Sequence, residues 1–316
     1  MPVENMAQSR PSMKEFYRRF QLKNYPFNVF TAENEAPYAQ DIFVHPHNYD
    51  AIKESFDSNR SIIIRGSRGT GKTALLNDLK QSTLSSTHLS CVIDDYSSLS
   101  LQPATSEYYL LILSGIVSAL FRQLFEEKER LRRLNKEDRL FLSFLLKQYT
   151  SPVTQAELIR KIEEIQLSPA RRLLRNLSGL IRAILNYGLT AGLNVVNDVI
   201  RNYYSGLPPM QESQIRDIIP KLKLDAETDF LSAEASYHML TRLCTVVRKL
   251  GYERVTVFFD KVDEDSRMEN NAEVIADFIR PLLTDNKLLE NPDIQFVLSV
   301  WEVPFKRILG TVRTQK

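Results

Sequence analysis

The sequence predicts an α/β fold: a parallel sheet flanked by helices, with a large all-helical insertion between its second and third strands. Three observations carry this. Ile62, Ile63 and Ile64 form a short β-branched run that passes into a glycine-rich turn and then a helical pattern. A second apolar run, Val255 to Phe259, ends in Asp260. Between Ser106 and Leu250 the apolar spacing is helical throughout, far longer than the thirty or so residues of an ordinary crossover.

In chain order, residues 1–12 are polar with Pro2 and Pro11 and read as disordered, with no apolar core for a signal peptide. Met13 to Leu22 is a short amphipathic helix, and 24–37 an irregular aromatic segment. Ile42, Phe43 and Val44 precede the first strand and either line a pocket or pack under the following loop. His45 and His47 have no third ligand nearby, which argues against a metal site there.

The stretch from Ser61 to Leu79 contains Gly66, four residues, then Gly71, Lys72 and Thr73, the phosphate-binding pattern G-x-x-x-x-G-K-[ST]. Gly66, Gly69 and Gly71 permit backbone conformations and close approach that a Cβ obstructs. Lys72 supplies a mobile charge for the β- and γ-phosphates, and Thr73 a hydroxyl for Mg²⁺. Ser67, Arg68 and Thr70 fill variable positions and are expected to give main-chain contacts alone. With glycine at about 7% of residues, the fixed letters recur by accident in roughly one such chain in a hundred. The strand before and the helix after make chance rarer still.

Leu89 to Asp94 is the second strand, with Asp94 and Asp95 at its carboxyl edge, as ligand contacts or as caps of the next loop. Helices are then expected near 106–131, 135–149, 154–167, 170–187, 189–204, 211–220 and 232–250, with starts at Thr154 with Glu157 and at Ser168-Pro169, and a stop at Gly251. Leu177 to Ile200 is long enough to cross a bilayer, but Arg182, Asn186, Asn194, Asn197 and Asp198 argue for a buried helix pair, with interfacial attachment assisted by Arg171, Arg172, Arg175 and Arg182 as the alternative. The mixed charges of Glu126 to Arg133 read as a solvated face. In Val255 to Asp260 the carboxylate stands where a strand ends and can hold a water of the Mg²⁺ ion. Asn271 to Asp285 is a helix interrupted by Pro281, and Ile294 to Val300 a fourth strand with Ser299, Trp301 and Glu302 at its end.

The domains expected are an N-terminal extension (1–40), a first core part (41–103), the helical insertion (104–251) and a second core part (252–316). Hydrophobic and charged residues make up 43% and 25% of the 316 residues, enough for a core plus a second unit. A net charge of +2 gives no global field for nucleic acid or membrane. Cys91 and Cys244, both in apolar runs, read as buried free thiols of a cytoplasmic protein.

These motifs in this order resemble the ASCE division of P-loop NTPases, which includes the AAA+, STAND and KAP families, over roughly residues 40–95 and 250–305. Asp260-Lys261-Val262-Asp263-Glu264 is similar to the Walker B segment of STAND and related NTPases, where two acids follow the first Asp after a spacer. AAA+ and Orc/Cdc6-type proteins usually place Glu directly after that Asp, where this chain has Lys261. The resemblance implies a P-loop sheet in the strand order 5-1-4-3-2, of which four strands are recognisable before Lys316. It implies ATP and Mg²⁺ as ligands, Lys72, Asp263 and Glu264 as catalytic candidates, and Thr73 and Asp260 on the metal. An arginine from a neighbouring subunit, with Arg280, Arg267 and Arg68 as donors to consider, would complete the transition-state charge.

The expected function is a nucleotide-driven regulatory ATPase of a defence or signalling system, with a protein partner or a second copy meeting the helical insertion. One alternative is a DNA-handling ATPase of the Orc/Cdc6-like type using the Arg171–Arg182 cluster; another is a nucleotide-binding scaffold without turnover.

Overall fold

The four apolar runs become four parallel strands in the computed structural model, which describes Arg19 and residues 43–149, 204, 206–209 and 233–314. Strands β1 (Ile62–Gly66), β2 (His88–Ile93), β3 (Arg254–Phe259) and β4 (Ile294–Trp301) lie in the order β1-β4-β3-β2. Every neighbouring pair is parallel. This is the 1-4-3-2 part of the order that the resemblance implied. Among the described residues β4 is the one strand paired with β1.

The chain divides into two compact units, 1–46 and 47–316. In the first, the rings of Phe43 and His45 meet edge to face with centroids 5.4 Å apart, and Ile42 lies outside the described residues. The second holds the sheet and eight described helices: α1 (Tyr49–Asp57), α2 (Lys72–Gln81), α3 (Thr105–Glu126), α4 (Lys136–Tyr149), α5 (Ala233–Lys249), α6 (Ala272–Thr284), α7 (Asn286–Leu289) and α8 (Glu302–Thr314). It is a mixed α/β architecture with helices on both faces of the sheet, compatible with a P-loop fold.

Alternation along the strands decides which helix meets which residue. Leu89, Cys91, Val255, Val257, Phe259, Phe296 and Leu298 join the buried side chains of α3, α5 and α6 in one continuous core. On the other face Phe258 pairs in register with Val297, and Val297 with Ile62. There Phe258 meets Phe56 of α1 with ring centroids 6.1 Å apart, and α2 turns Leu75, Leu76 and Leu79 inward.

α3 is long and apolar enough to cross a membrane. Its apolar residues are instead buried against β2 and α5. Thus α3 and α5, which the sequence reading placed in the insertion, form the layer covering one face of the sheet. The expected helices at 154–167, 170–187, 189–204 and 211–220, the apolar stretch Leu177–Ile200 and the Arg171–Arg182 cluster lie outside the described residues, apart from Tyr204. The Tyr204 hydroxyl donates to the Phe121 carbonyl of α3 at 2.8 Å.

Two local expectations are corrected. Glu126–Arg133 is not simply a solvated face. The helix ends at Glu126, a 3₁₀ turn follows at Lys128–Arg133, and Arg130 and Arg133 reach the Leu250 carbonyl just beyond α5 at 3.2 and 2.9 Å. Arg130 also stacks on Tyr252 at 4.3 Å. Cations here satisfy a carbonyl that a helix end leaves open. Pro281 does not interrupt α6 either, since the helix runs to Thr284. Its start is fixed by the Asn271 side chain, which accepts from the backbone N–H of Glu273 at 2.9 Å.

Candidate functional site

The candidate site is built where the chain leaves the carboxyl ends of β1, β3 and β4. β1 ends at Gly66 and α2 begins at Lys72, so Ser67 to Gly71 must turn the chain within five residues. Gly69 and Gly71 do this at φ of 75° and 80°, in the left-handed region that favours glycine. At Gly66 a Cβ would lie 2.7 Å from the Thr70 Oγ1, which itself donates to the Ser67 carbonyl at 2.8 Å. The Lys72 ammonium lies across the loop, donating to the carbonyls of Ser67 at 3.0 Å and Gly66 at 3.3 Å. Thr73 opens the helix half-buried, and its hydroxyl makes no hydrogen bond within the described residues.

Asp260 follows β3. Its N–H still bonds to the Ile93 carbonyl at 3.0 Å, so the ladder and its alternation extend one residue beyond the strand. The side chain therefore belongs to the face of Phe258, the face that α2 covers. Asp260 is only 5% exposed, and its carboxylate has no hydrogen bond or ion pair among the described residues. The row one step beyond the Phe259–Leu298 pair places Ser299 beside Asp260, and Ser299 pairs in turn with Ile64 of β1. The Ser299 hydroxyl is buried without a hydrogen-bond partner among the described residues. A buried hydroxyl without a partner is unfavourable, and a carboxylate near it that is 5% exposed and unpaired among the described residues offers a polar ligand an anionic acceptor. Such pairs are kept where a polar ligand satisfies them.

Arg68 ties the two loops together. Its Nε donates to the Asp263 carboxylate at 2.9 Å and its Nη2 to the Asp263 carbonyl at 2.6 Å, while Nη1 reaches the Asn270 side chain at 2.5 Å. The guanidinium lies 4.7 Å from the ring of Trp301, at the end of β4. The Arg68 side chain is thus engaged within the chain, whereas the sequence reading assigned the residue main-chain contacts to the ligand alone. The carboxylates of the second motif are also separated: Asp263 is buried and held by Arg68, whereas Glu264 is exposed and its side chain has no partner within the described residues. Lys261, Glu269 and Asn270 hold positive φ in the loop between. Strain of this kind in non-glycine residues collects at functional loops.

Sequence reasoning missed the Arg68–Asp263 pair because 195 positions separate its members. The available signal was an arginine between two glycines of the loop, with no acid of its own nearby, and a surplus of acids after β3.

Arg267 and Arg280 are engaged within the chain. Arg280 pairs with Asp277 at 2.7 Å. Arg267 donates to the carbonyls of Tyr96 and Leu99, each at 2.8 Å, and to Asp265 at 2.6 Å, fastening the loop after β2 to the loop after β3. The bond from Arg267 holds the Asp265 carboxyl below the usual carboxylate range, against a partial burial that pushes it up. A carboxyl lowered in the native state stabilises it fully above its unfolded pKa, about 4, and stops doing so as pH falls through the native value. Asp265→Asn is therefore expected to melt below wild type near about pH 7 and level with it near about pH 3, by thermal denaturation across that range. A gap that persists in acid would remove the ion pair as its cause.

Asp95 caps a turn, its carboxylate accepting from the Ser97 N–H at 2.9 Å. Cys91 and Cys244 are buried free thiols, each pushed up to about 12 by burial.

A family model described as ORC-CDC6-like matches residues 25–99, the part of the chain that contains β1, the Gly66–Thr73 loop, α2 and β2. No curated protein and no solved structure shows significant similarity to the chain. With the parallel sheet, the family match points to a P-loop ATPase-like fold.

Proposed function

We propose that this chain binds ATP on the Gly66–Thr73 loop, hydrolyses it, and uses the cycle as a regulatory switch. The observation that carries the reading is Asp260, a carboxylate 5% exposed and without a side-chain partner among the described residues, on the sheet face that α2 covers. A lone buried carboxylate is disfavoured unless a cation satisfies it. Mg²⁺ fits this donor set, since it takes one or two protein oxygens and fills its octahedron with phosphate and water. Thr73 and Asp260 would hold it, and once bound it neutralises charge on the phosphate oxygens.

The rest follows from residues already placed. The amides of Gly69 to Thr73, at the start of α2, attract the phosphates. Lys72 exchanges the Gly66 and Ser67 carbonyls for phosphate oxygens. Glu264, exposed and without a side-chain partner among the described residues, takes the proton of the attacking water from the Val262–Glu264 turn that also carries Asp263. The Ser299 hydroxyl, on the strand between, donates toward the γ-phosphate.

Turnover coupled to movement of the helices between β2 and β3 would make the chain a switch like the STAND ATPases it resembles. Those helices would then be the surface for a protein partner or a second copy. Phosphate release and calorimetry with ATPγS test the reading. Lys72→Ala is expected to bind at least about tenfold more weakly, and Glu264→Gln to bind as wild type but hydrolyse about a hundredfold more slowly. Wild-type binding without phosphate release would leave the scaffold alternative standing.

The ORC-CDC6-like match favours a second reading, a DNA-handling ATPase. It predicts duplex binding that weakens steeply with salt. No binding at low salt would exclude it.

A further inference from the structure

We propose that Arg68 is a nucleotide-responsive positioning residue: it clamps Asp263 in the ligand-free protein, and a bound polyphosphate draws it away. The proposal rests on the nucleotide reading above and adds a moving part to it. Arg68 sits inside the phosphate loop, between Ser67 and Gly69, yet its side chain is spent on Asp263, Asn270 and Trp301. The two sides of the clamp are unequal. The Arg68 side chain is 41% exposed and has room to swing, whereas that of Asp263 is 6% exposed and moves only with the turn that carries it.

A triphosphate carries several negative charges against the single charge of Asp263. Guanidinium groups bind phosphate in the same forked geometry as carboxylate. Seated on the loop, the phosphates therefore compete for Arg68 at short range. Departure of Arg68 leaves a buried carboxylate without its cation, a state that proteins relieve by moving the group toward water or a new partner. Asp263 lies in the Val262–Glu264 turn, so its movement shifts Glu264 directly. In this way the arrival of nucleotide arms the carboxylate that activates water, and the ligand-free protein holds it in a different place.

Trp301 is the only tryptophan in the chain, so its emission reports the clamp without a label. Saturating wild type with MgATPγS is expected to move its emission to that of ligand-free Arg68→Ala, while Arg68→Ala itself does not respond. Asp263→Asn, which weakens the clamp but keeps Arg68, is expected to bind ATPγS about fivefold more tightly than wild type. A purely structural role for the pair predicts equal or weaker binding. If Arg68→Ala does not fold, as judged by circular dichroism, wild type against Asp263→Asn still decides the matter. Calorimetric binding with unchanged Trp301 emission, or with no gain in Asp263→Asn, overturns the clamp and leaves the nucleotide reading intact. No calorimetric binding to wild type overturns both.

Discussion

Asp260→Asn is expected to lower magnesium-dependent ATP turnover by about a thousandfold and at the same time to raise the melting temperature of the ligand-free protein. The two effects have one cause. Asp260 is 5% exposed, and its carboxylate has no partner within the described residues, so the ligand-free fold tolerates an isolated charge that an amide of the same shape removes. Relief of such a charge is worth about 1–2 kcal/mol, or about 3–5 °C for a domain of this size. The turnover loss comes from the other side: an amide oxygen cannot supply the negative charge that holds a hydrated Mg²⁺ ion beside the phosphates, and the metal contributes several kcal/mol to transition-state stabilisation. Calorimetric melting without nucleotide and phosphate release with it measure the two halves separately. A lower melting temperature in Asp260→Asn would mean that the carboxylate makes a stabilising contact within the fold, and the magnesium assignment would lose its main support. Residues chosen for a ligand rather than for stability show this opposition between the two properties.

The central strands β3 and β4 were legible in the sequence because each is a nearly unbroken apolar run, as a strand covered on both faces requires, while the edge strands β1 and β2 keep partly exposed residues such as Ile63 and Val92. The loop was legible because positive φ and a close backbone approach leave glycine as the residue that fits, which ties letters directly to geometry. Less could be read of what lies between β2 and β3. Helical spacing shows that Ile112, Leu113, Ile116 and Leu120 are buried, but not whether they meet the sheet or another helix; they join the core that covers β2 and β3. Charge patterns were read least well. Arg130 reads as part of a solvated face and Arg68 as a loop residue giving main-chain contacts, yet one satisfies a carbonyl beyond the end of α5 and the side chain of the other holds Asp263. Contacts between residues so far apart depend on how the sheet brings loops together, and no local spacing encodes that.

Gly115 is the place where this dependence can be tested most severely. It lies in the middle of α3, where glycine costs roughly 1 kcal/mol relative to alanine, so helix propensity alone says that Gly115→Ala should stabilise. The structure predicts the reverse. A Cβ there would sit 2.7 Å from the Cys91 Sγ and 3.3 Å from the Ile93 Cγ1, both on β2 and both in the core. Overpacking of this kind costs about 1–3 kcal/mol for one methyl group, and Gly115→Leu is expected to yield no folded protein at all. Cys91→Ala removes the closest atom, so Cys91→Ala/Gly115→Ala should melt above Gly115→Ala alone; the excess over additivity in a double-mutant cycle measures the contact. The effect also travels to the site. The Ile93 carbonyl accepts the N–H of Asp260 at 3.0 Å, so pressure from α3 on β2 bears on the backbone that carries Asp260. Gly115→Ala should therefore lose turnover at temperatures where circular dichroism still shows it folded, and Cys91→Ala should restore both. A Gly115→Ala protein that melts above wild type would mean that α3 can lift from the sheet at little cost, and that the position of Asp260 does not depend on it.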